Sequence, residues 1–216
     1  MLPTFETGRL ILRPRTMADI DDCLAMDRDP EVTRFIPGPW DDPEAHRLFL
    51  TNRIQADFGD GLGYWSIFAK ENPKQFLGWV LLIPADAAGP DIEIGWRLNR
   101  FAWGKGYATE AAKPVLTHAF ATLGLERVIA DIAPGNTASI RVAEKLGLSP
   151  TRATMYLGQP FASYQMTRDA FEAGQVAGLL CPTILRWRCV RVPNPCKAPE
   201  PCGRKAPPGI HDHRGG

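Results

Sequence analysis

Asp91–Ala112, DIEIGWRLNRFAWGKGYATEAA, decides how the rest of the chain is read. Ile92, Ile94, Trp96 and Leu98 alternate with Glu93 and Arg97, and a period of two predicts a strand with one buried face. A short polar and aromatic loop follows, then Gly104-Lys105-Gly106, then an Ala-rich stretch of helical character. Strand, glycine turn and helix start together aim free backbone N–H groups and the positive end of a helix at an anion. Both glycines let a ligand approach the backbone closely, and Tyr107, Ala108 and Thr109 supply first-turn N–H groups. A tight strand-to-helix turn with no ligand is the plain structural alternative. A P-loop is excluded because Gly106, not Ser or Thr, follows the lysine. A dinucleotide fingerprint lacks its third glycine and its βαβ repetition.

Upstream of this stretch, Arg9–Arg13 reads as an opening strand closed by Pro14, and Asp19–Met26 as a short helix. Asp29-Pro30-Glu31 and Asp42-Pro43-Glu44 each combine a capping carboxylate, a proline at the first helical position and an acid in the first turn. The second opens a longer helix to about Ala56, with Ala45, Leu48 and Ile54 among its apolar positions. Between the two lies Pro37-Gly38-Pro39, followed by Trp40, which is either a core anchor or the wall of a cleft. Strands Tyr64–Lys70, Phe76–Ile83 and the opening strand, joined by short turns, form an antiparallel meander. Downstream, Ala111, Val115, Ala119 and Phe120 give the next helix an apolar face, with Pro114 expected to kink it. Arg127–Ile132 is another strand. Asn136 caps a helix carrying Ile140, Val142, Ala143 and Leu146, and Gly147 stops that helix. Thr151–Leu157 and Phe161–Thr167 close the domain as a hairpin.

Composition bounds the function. The chain of 216 residues carries a net charge of +1. Residues 182–216 hold seven Arg and Lys against Glu200 and Asp212, so the body is mildly acidic and shows no nucleic-acid-binding surface. The apolar run Trp79–Ile83 is too short to span a bilayer, and Glu6 and Arg9 near the start argue against a signal peptide. A cytoplasmic protein, monomer or homodimer, is expected, with no membrane or nucleic-acid partner. Cys23 reads as a small buried hydrophobe. Residues 1–173 form the domain, and residues 174–216, rich in Pro, Cys and Arg, read as a disordered or non-native extension. The spacings of Cys189, Cys196, Cys202, His211 and His213 lack the tight pairs of zinc modules, so no metal is expected.

The segment GWRLNRFAWGKGYATEAA resembles the acetyl-CoA-binding motif of the GCN5-related N-acetyltransferase (GNAT) superfamily. TGRLILRPRTMADID, DPEVTRFIPGP and GNTASIRVAEKLGL resemble its RimJ/RimL branch, which acetylates ribosomal-protein alanine N-termini. Together they span residues 5–172 in family order. The resemblance implies an α/β (α+β) fold, a mixed and mostly antiparallel central sheet with helices on both faces. It further implies a splay between Asp91–Leu98 and Arg127–Ile132 for the pantetheine of acetyl-CoA. Pyrophosphate would then sit on the backbone of Trp103, Gly104, Lys105, Gly106, Tyr107 and Ala108. Leu98 would pair its backbone with pantetheine amides, and Asn136 would hold the cofactor arm. Two positions depart from the pattern. Phe101 replaces the usual Gln or Arg three places before the first glycine, and Ala143 replaces the tyrosine many members use as general acid. Ser139 stands where RimL-like enzymes resemble one another in using a serine, and is the acid candidate.

Acetyl transfer from a thioester to an amine needs a neutral amine and a protonated leaving thiol, and a carboxylate with a raised pKa suits the base. Glu93, on the motif strand among apolar neighbours, is the candidate; an ion pair with Arg97 on the same strand face is its structural alternative. A weak base suffices for a protein N-terminus (pKa ~8) better than for a lysine (pKa ~10.4). The expected acceptor is therefore a protein N-terminal alanine or a small-molecule amine, entering near Phe35–Trp40 and Tyr64–Trp65. A CoA-binding module without catalysis is the alternative from another class.

Overall fold

The computed structural model describes residues 2–156 and 158–176. One eight-stranded sheet runs in the order β1-β2-β3-β4-β5-β6-β8-β7. Its strands are Phe5–Glu6 (β1), Leu10–Pro14 (β2), Gly63–Ala69 (β3), Asn72–Pro84 (β4), Ile92–Leu98 (β5), Arg127–Ile132 (β6), Ser149–Tyr156 (β7) and Gln159–Thr167 (β8). Every neighbouring pair is antiparallel except β5 and β6, which are parallel. A parallel pair needs a crossover. Here it is Tyr107–Thr117 (α4), continued by a π-turn over His118–Thr122.

Two apolar layers sandwich the sheet. On one side α4 and Thr137–Leu146 (α5) cover Leu12, Trp65, Ile67, Val80, Leu82 and Ile94. On the other, Ile20–Asp27 (α1), Pro30–Thr33 (α2) and Pro43–Gln55 (α3) cover Phe68, Phe76, Trp79, Leu81 and Ile83. Helices on both faces explain why β5 departs from the expected strand with one buried face: Ile94 is buried on one side and Arg97 on the other. Cys23 is fully buried in the second layer, as expected.

The capping signals act as their chemistry requires. Asp42 Oδ1 accepts from the N–H groups of Glu44 and Ala45, and Asp29 Oδ1 from that of Glu31. In α3 the fully buried positions are His46 and Leu50, and Ile54 packs against the same layer as expected, but Leu48 is exposed and does not belong to the apolar face. Pro114 does not end α4, because Ala111 and Val115 on either side of it are fully buried and hold the helix against the sheet. The irregularity comes four residues later, at the π-turn.

The helix Arg168–Val176 (α6) was not expected from the sequence. Its Phe171 stacks on Phe120 at 4.9 Å and extends the core past the last strand. The expected boundary at residue 173 falls inside this helix. The reading of the Cys/Pro/Arg-rich segment lies outside the described residues from 177 onward. Among the described residues no helix is long and apolar enough to cross a membrane, and no group of three or more His, Cys, Asp and Glu could hold a metal.

Candidate active site

The glycine loop has the expected shape. Gly104 (φ +73°) and Gly106 (φ +78°) occupy the left-handed region that glycine enters without strain. A Cβ at Gly104 would meet nothing within 4 Å, so this backbone faces open space. Gly106 caps α4 with no side-chain acceptor, and the first helical hydrogen bond runs from Glu110 N–H to Gly106 O at 3.0 Å. The N–H groups of Tyr107, Ala108 and Thr109 therefore lack acceptors within the helix and point outward with its positive end.

A clamp that sequence reading missed holds this loop. Arg9, just before β2, donates from Nη2 to Lys105 O at 3.0 Å and from Nε to Glu110 Oε2 at 2.7 Å. Its guanidinium also lies 4.6 Å from the centre of the Tyr107 ring. Thr7 Oγ1 and Arg9 N–H both donate to Glu110 Oε1. These hydrogen bonds outweigh the partial burial of Glu110 and hold its pKa below the usual carboxylate range. Only a first-turn acid and a basic residue in TGRL hinted at the clamp, separated by about a hundred positions.

The expected gap between β5 and β6 is present. Their ladder contains one register pair, Glu93 opposite Ile129. Asn99 N–H donates to Leu77 O at 2.9 Å and Ala85 N–H to Asp91 O at 2.8 Å, so odd-numbered positions turn their backbone toward β4. By alternation, Trp96 and Leu98 turn theirs toward β6, beyond the point where the ladder stops. Leu98 is only partly available, however. Its carbonyl accepts the indole N–H of Trp103 at 2.8 Å, leaving its N–H as the group for a ligand.

Glu93 stands at that single register pair, half-buried, and among the described residues its carboxylate has no hydrogen bond or ion pair. Burial, then the negative charges of Asp131 and Asp86, push its pKa up to about 8, against a smaller opposing effect of Arg53. Asp131 Oδ1 is itself buried without a hydrogen-bond donor. The alternative pairing of Glu93 with Arg97 is overturned. Arg97 Nη1 instead donates to Asp27 Oδ1 at 2.8 Å, and its guanidinium lies 4.9 Å from Trp40 and 5.0 Å from Trp79. Asp27 Oδ2 lies 3.3 Å from His46 Nε2, which completes a buried network joining α1, α3 and β5. No periodicity could signal that Arg97 would cross the sheet surface to Asp27 rather than pair along its own strand.

Asn136 caps α5, and its Oδ1 accepts from Ser139 N–H at 3.1 Å. The oxygen is thus committed, which leaves its amide nitrogen for a ligand. Ser139 lies in the first turn of α5, partly buried, and no direct contact links it to Glu93. Ala143 is fully buried in the core. Of the expected entry residues, Trp65 is excluded. It is fully buried under α4, its indole N–H donates to Pro3 O, and it faces the layer opposite to Tyr64. Trp40 is half-buried and fixed in place by packing, with its N–H donated to Ile36 O at 2.7 Å and its ring edge-on to His46 and Phe49.

This glycine-opened crossover beside a gap in a mixed sheet coincides with a family match. The acetyltransferase (GNAT) domain matches residues 9–149, and the chain belongs to that family. It is an acetyl-CoA-dependent acetyltransferase. Its relatives include the uncharacterized protein YkkB of Bacillus subtilis, 32% identical over 158 residues, 71% of this chain and 91% of that protein. The FsC-acetyl coenzyme A-N(2)-transacetylase of Aspergillus fumigatus is 30% identical over 183 residues, 81% of this chain and 74% of that one. The crystal structure of an acetyltransferase from Agrobacterium tumefaciens superposes with a TM-score of 0.65 at 29% identity, covering 77% of this chain and 95% of that chain. The fold expected from the motifs is the fold observed; the narrower RimJ/RimL assignment goes beyond these matches.

Proposed function

We propose that this enzyme acetylates a small-molecule primary amine directly from acetyl-CoA, with Glu93 as general base and Ser139 as the acid toward the leaving thiolate. The observation that carries the reading is Glu93, an unpartnered carboxylate whose pKa is raised to about 8, at the point where β5 and β6 part. An ordinary carboxylate sits about five units below a small-molecule ammonium of pKa ~9–10, whereas this one sits within ~1–2 units. A base so tuned is more than a protein N-terminus of pKa ~8 demands, which favours the small amine over the N-terminal alanine of the RimJ/RimL branch.

The glycine loop, with the backbone N–H groups of Gly104 to Ala108, fits the pyrophosphate, while the N–H of Trp103 is donated to Arg100 O at 3.1 Å and only the rest of its backbone faces the loop. The open space at Gly104 and the unpaired first turn of α4 support that placement. The backbone of Trp96 and the N–H of Leu98 fit the pantetheine arm and the thioester carbonyl, and the Asn136 amide nitrogen, free of the cap, is the group assigned to hold the cofactor arm. Acetyl-CoA supplies an activated acyl group, and the protein supplies position and proton management. Glu93 takes the proton from the ammonium, freeing the lone pair that forms the new C–N bond. The tetrahedral adduct then breaks its C–S bond as Ser139 donates to the departing sulfur. Ser139 regains a proton, through water, from the protonated nitrogen of the adduct, which leaves the neutral amide and the free thiol.

A panel of amines incubated with acetyl-CoA, followed by thiol release and the mass of the products, tests this reading. Acetylated small amines with equimolar free CoA are expected. Acetylation confined to peptide N-termini would instead return the enzyme to the ribosomal-protein branch.

A further inference from the structure

The end of α3, the loop over 57–62 and the start of β3 form a small cleft of about 60 Å³. Two arginines line it. Arg15, which directly follows β2, is 8% exposed, and its guanidinium lies 3.6 Å from the centre of the Tyr64 ring. Its Nε and Nη2 are sealed from solvent and donate to nothing, as is Nη1 of Arg53 from α3. Buried guanidinium N–H groups are almost always paired, because leaving them bare forfeits hydration without replacement. Apolar Ile54, Phe58 and Leu62 complete the walls, leaving room for a group the size of a carboxylate rather than for a whole ligand.

Among the described residues neither Arg15 nor Arg53 forms an ion pair, and Arg53 only acts on Glu93 without a hydrogen bond to it. Asp27, the carboxylate that acts electrostatically on Arg15, is occupied by Arg97 and His46. Asp57 in the adjoining loop turns back to accept from Gly59 N–H. Burial lowers the pKa of Arg15 from its usual value, the direction expected of a cation awaiting an anion.

The cleft shares a sheet face with Glu93. Tyr64 pairs with Leu81 on β4, and Ile83, two positions along on the same side, pairs with Glu93 on β5. Two strand spacings and one alternate position separate Tyr64 from Glu93, roughly 10–12 Å. A short amino acid with a hydrogen bond at each end spans that distance. Arg53 lies close enough to Glu93 to act on its titration.

We infer that the cleft receives the carboxylate of the acceptor, so that the substrate is an amino acid whose amine points to Glu93 and whose carboxylate is held by Arg15 and Arg53. This rests on the small-amine reading above and narrows it. Forked guanidinium donors recognise carboxylates with high selectivity, and a site built around such bonds rejects ligands that cannot make them.

The test compares L-alanine, β-alanine, 4-aminobutyrate and 5-aminopentanoate with their primary amides as acceptors, in wild type, Arg53→Gln and Arg15→Met. For at least one chain length, kcat/KM for the acid should exceed that for the amide by ~30-fold or more, and each substitution should bring the ratio toward one. Arg15→Met should melt no lower than wild type, since it removes an unpaired buried charge. Equal use of acids and amides would overturn the inference, as would a preference that survives both substitutions or a Tm lowered by several degrees in Arg15→Met.

If no amine is acetylated at all, the functional reading fails, and the cleft is judged separately. Tryptophan fluorescence titrated with 4-aminobutyrate and with its amide, in the presence of CoA, should then show acid-specific binding that Arg53→Gln removes. Absence of that binding overturns the inference too.

Discussion

Replacing Glu93 with glutamine changes one proton and little volume, and the structure says what that proton is worth. With a pKa of about 8, only about a tenth of the carboxylate is ionised at pH 7. The kcat/KM of wild type should therefore climb about tenfold per pH unit below 8 and flatten above it, separately from any limb due to the amine itself. Glu93→Gln should lose that limb and fall by ~10²–10⁴ at the plateau, with CoA affinity unchanged.

Stability supplies a second reading of the same group. In the unfolded chain Glu93 ionises near the ordinary value of 4.5, whereas in the fold it holds its proton to about 8. The folded state binds the extra proton between those limits, so the group's contribution to stability falls as pH rises through the window and is constant on either side. The difference is on the order of 5 kcal/mol. Urea unfolding should find Glu93→Gln more stable than wild type at pH 9 and equal to it near pH 4. An unchanged pH–rate profile in the variant, or equal stabilities at both pH values, would refute both the assignment and its electrostatic origin.

Three further outcomes follow from neighbouring geometry. Gly104→Val forces a β-branched residue to φ +73° and fills the open space in front of the loop, so calorimetry should show CoA affinity reduced by ~100-fold or more. Retained micromolar binding would remove the pyrophosphate from this loop. Asp27→Asn leaves Arg97 buried against a neutral partner and should cost ~3–5 kcal/mol in denaturant unfolding. Ser139→Ala should lower kcat by ~10–100-fold without changing CoA affinity, and an unchanged kcat would show that the thiolate takes its proton from another donor.

Much of this was legible because the signals were local. Asp29 and Asp42 cap their helices through atoms two and three residues away. Gly104 and Gly106 mark a backbone conformation that few other residues tolerate. What escaped depends on distance in the chain. The pairing of Arg9 with Glu110, that of Arg97 with Asp27, and the stacking of Arg15 on Tyr64 join residues from separate strands and helices. A run of charges cannot disclose which partner the fold will bring. Trp65 failed as a site residue for a simpler reason. Strand neighbours face opposite sides, and only Tyr64 faces the cleft. Helix α6 was missed because one buried residue, Phe171, anchors it, too little for a periodic pattern.

The central claim is direct transfer of acetyl from acetyl-CoA to an amine held at Glu93. A single-turnover reaction with isotopically labelled acetyl-CoA, quenched at intervals and followed by mass spectrometry of both protein and small molecules, tests it most directly. The account predicts labelled N-acetyl product appearing in step with free CoA, with no label on the protein at any time. Label carried first on the protein, or CoA released without an acetylated amine, would contradict it.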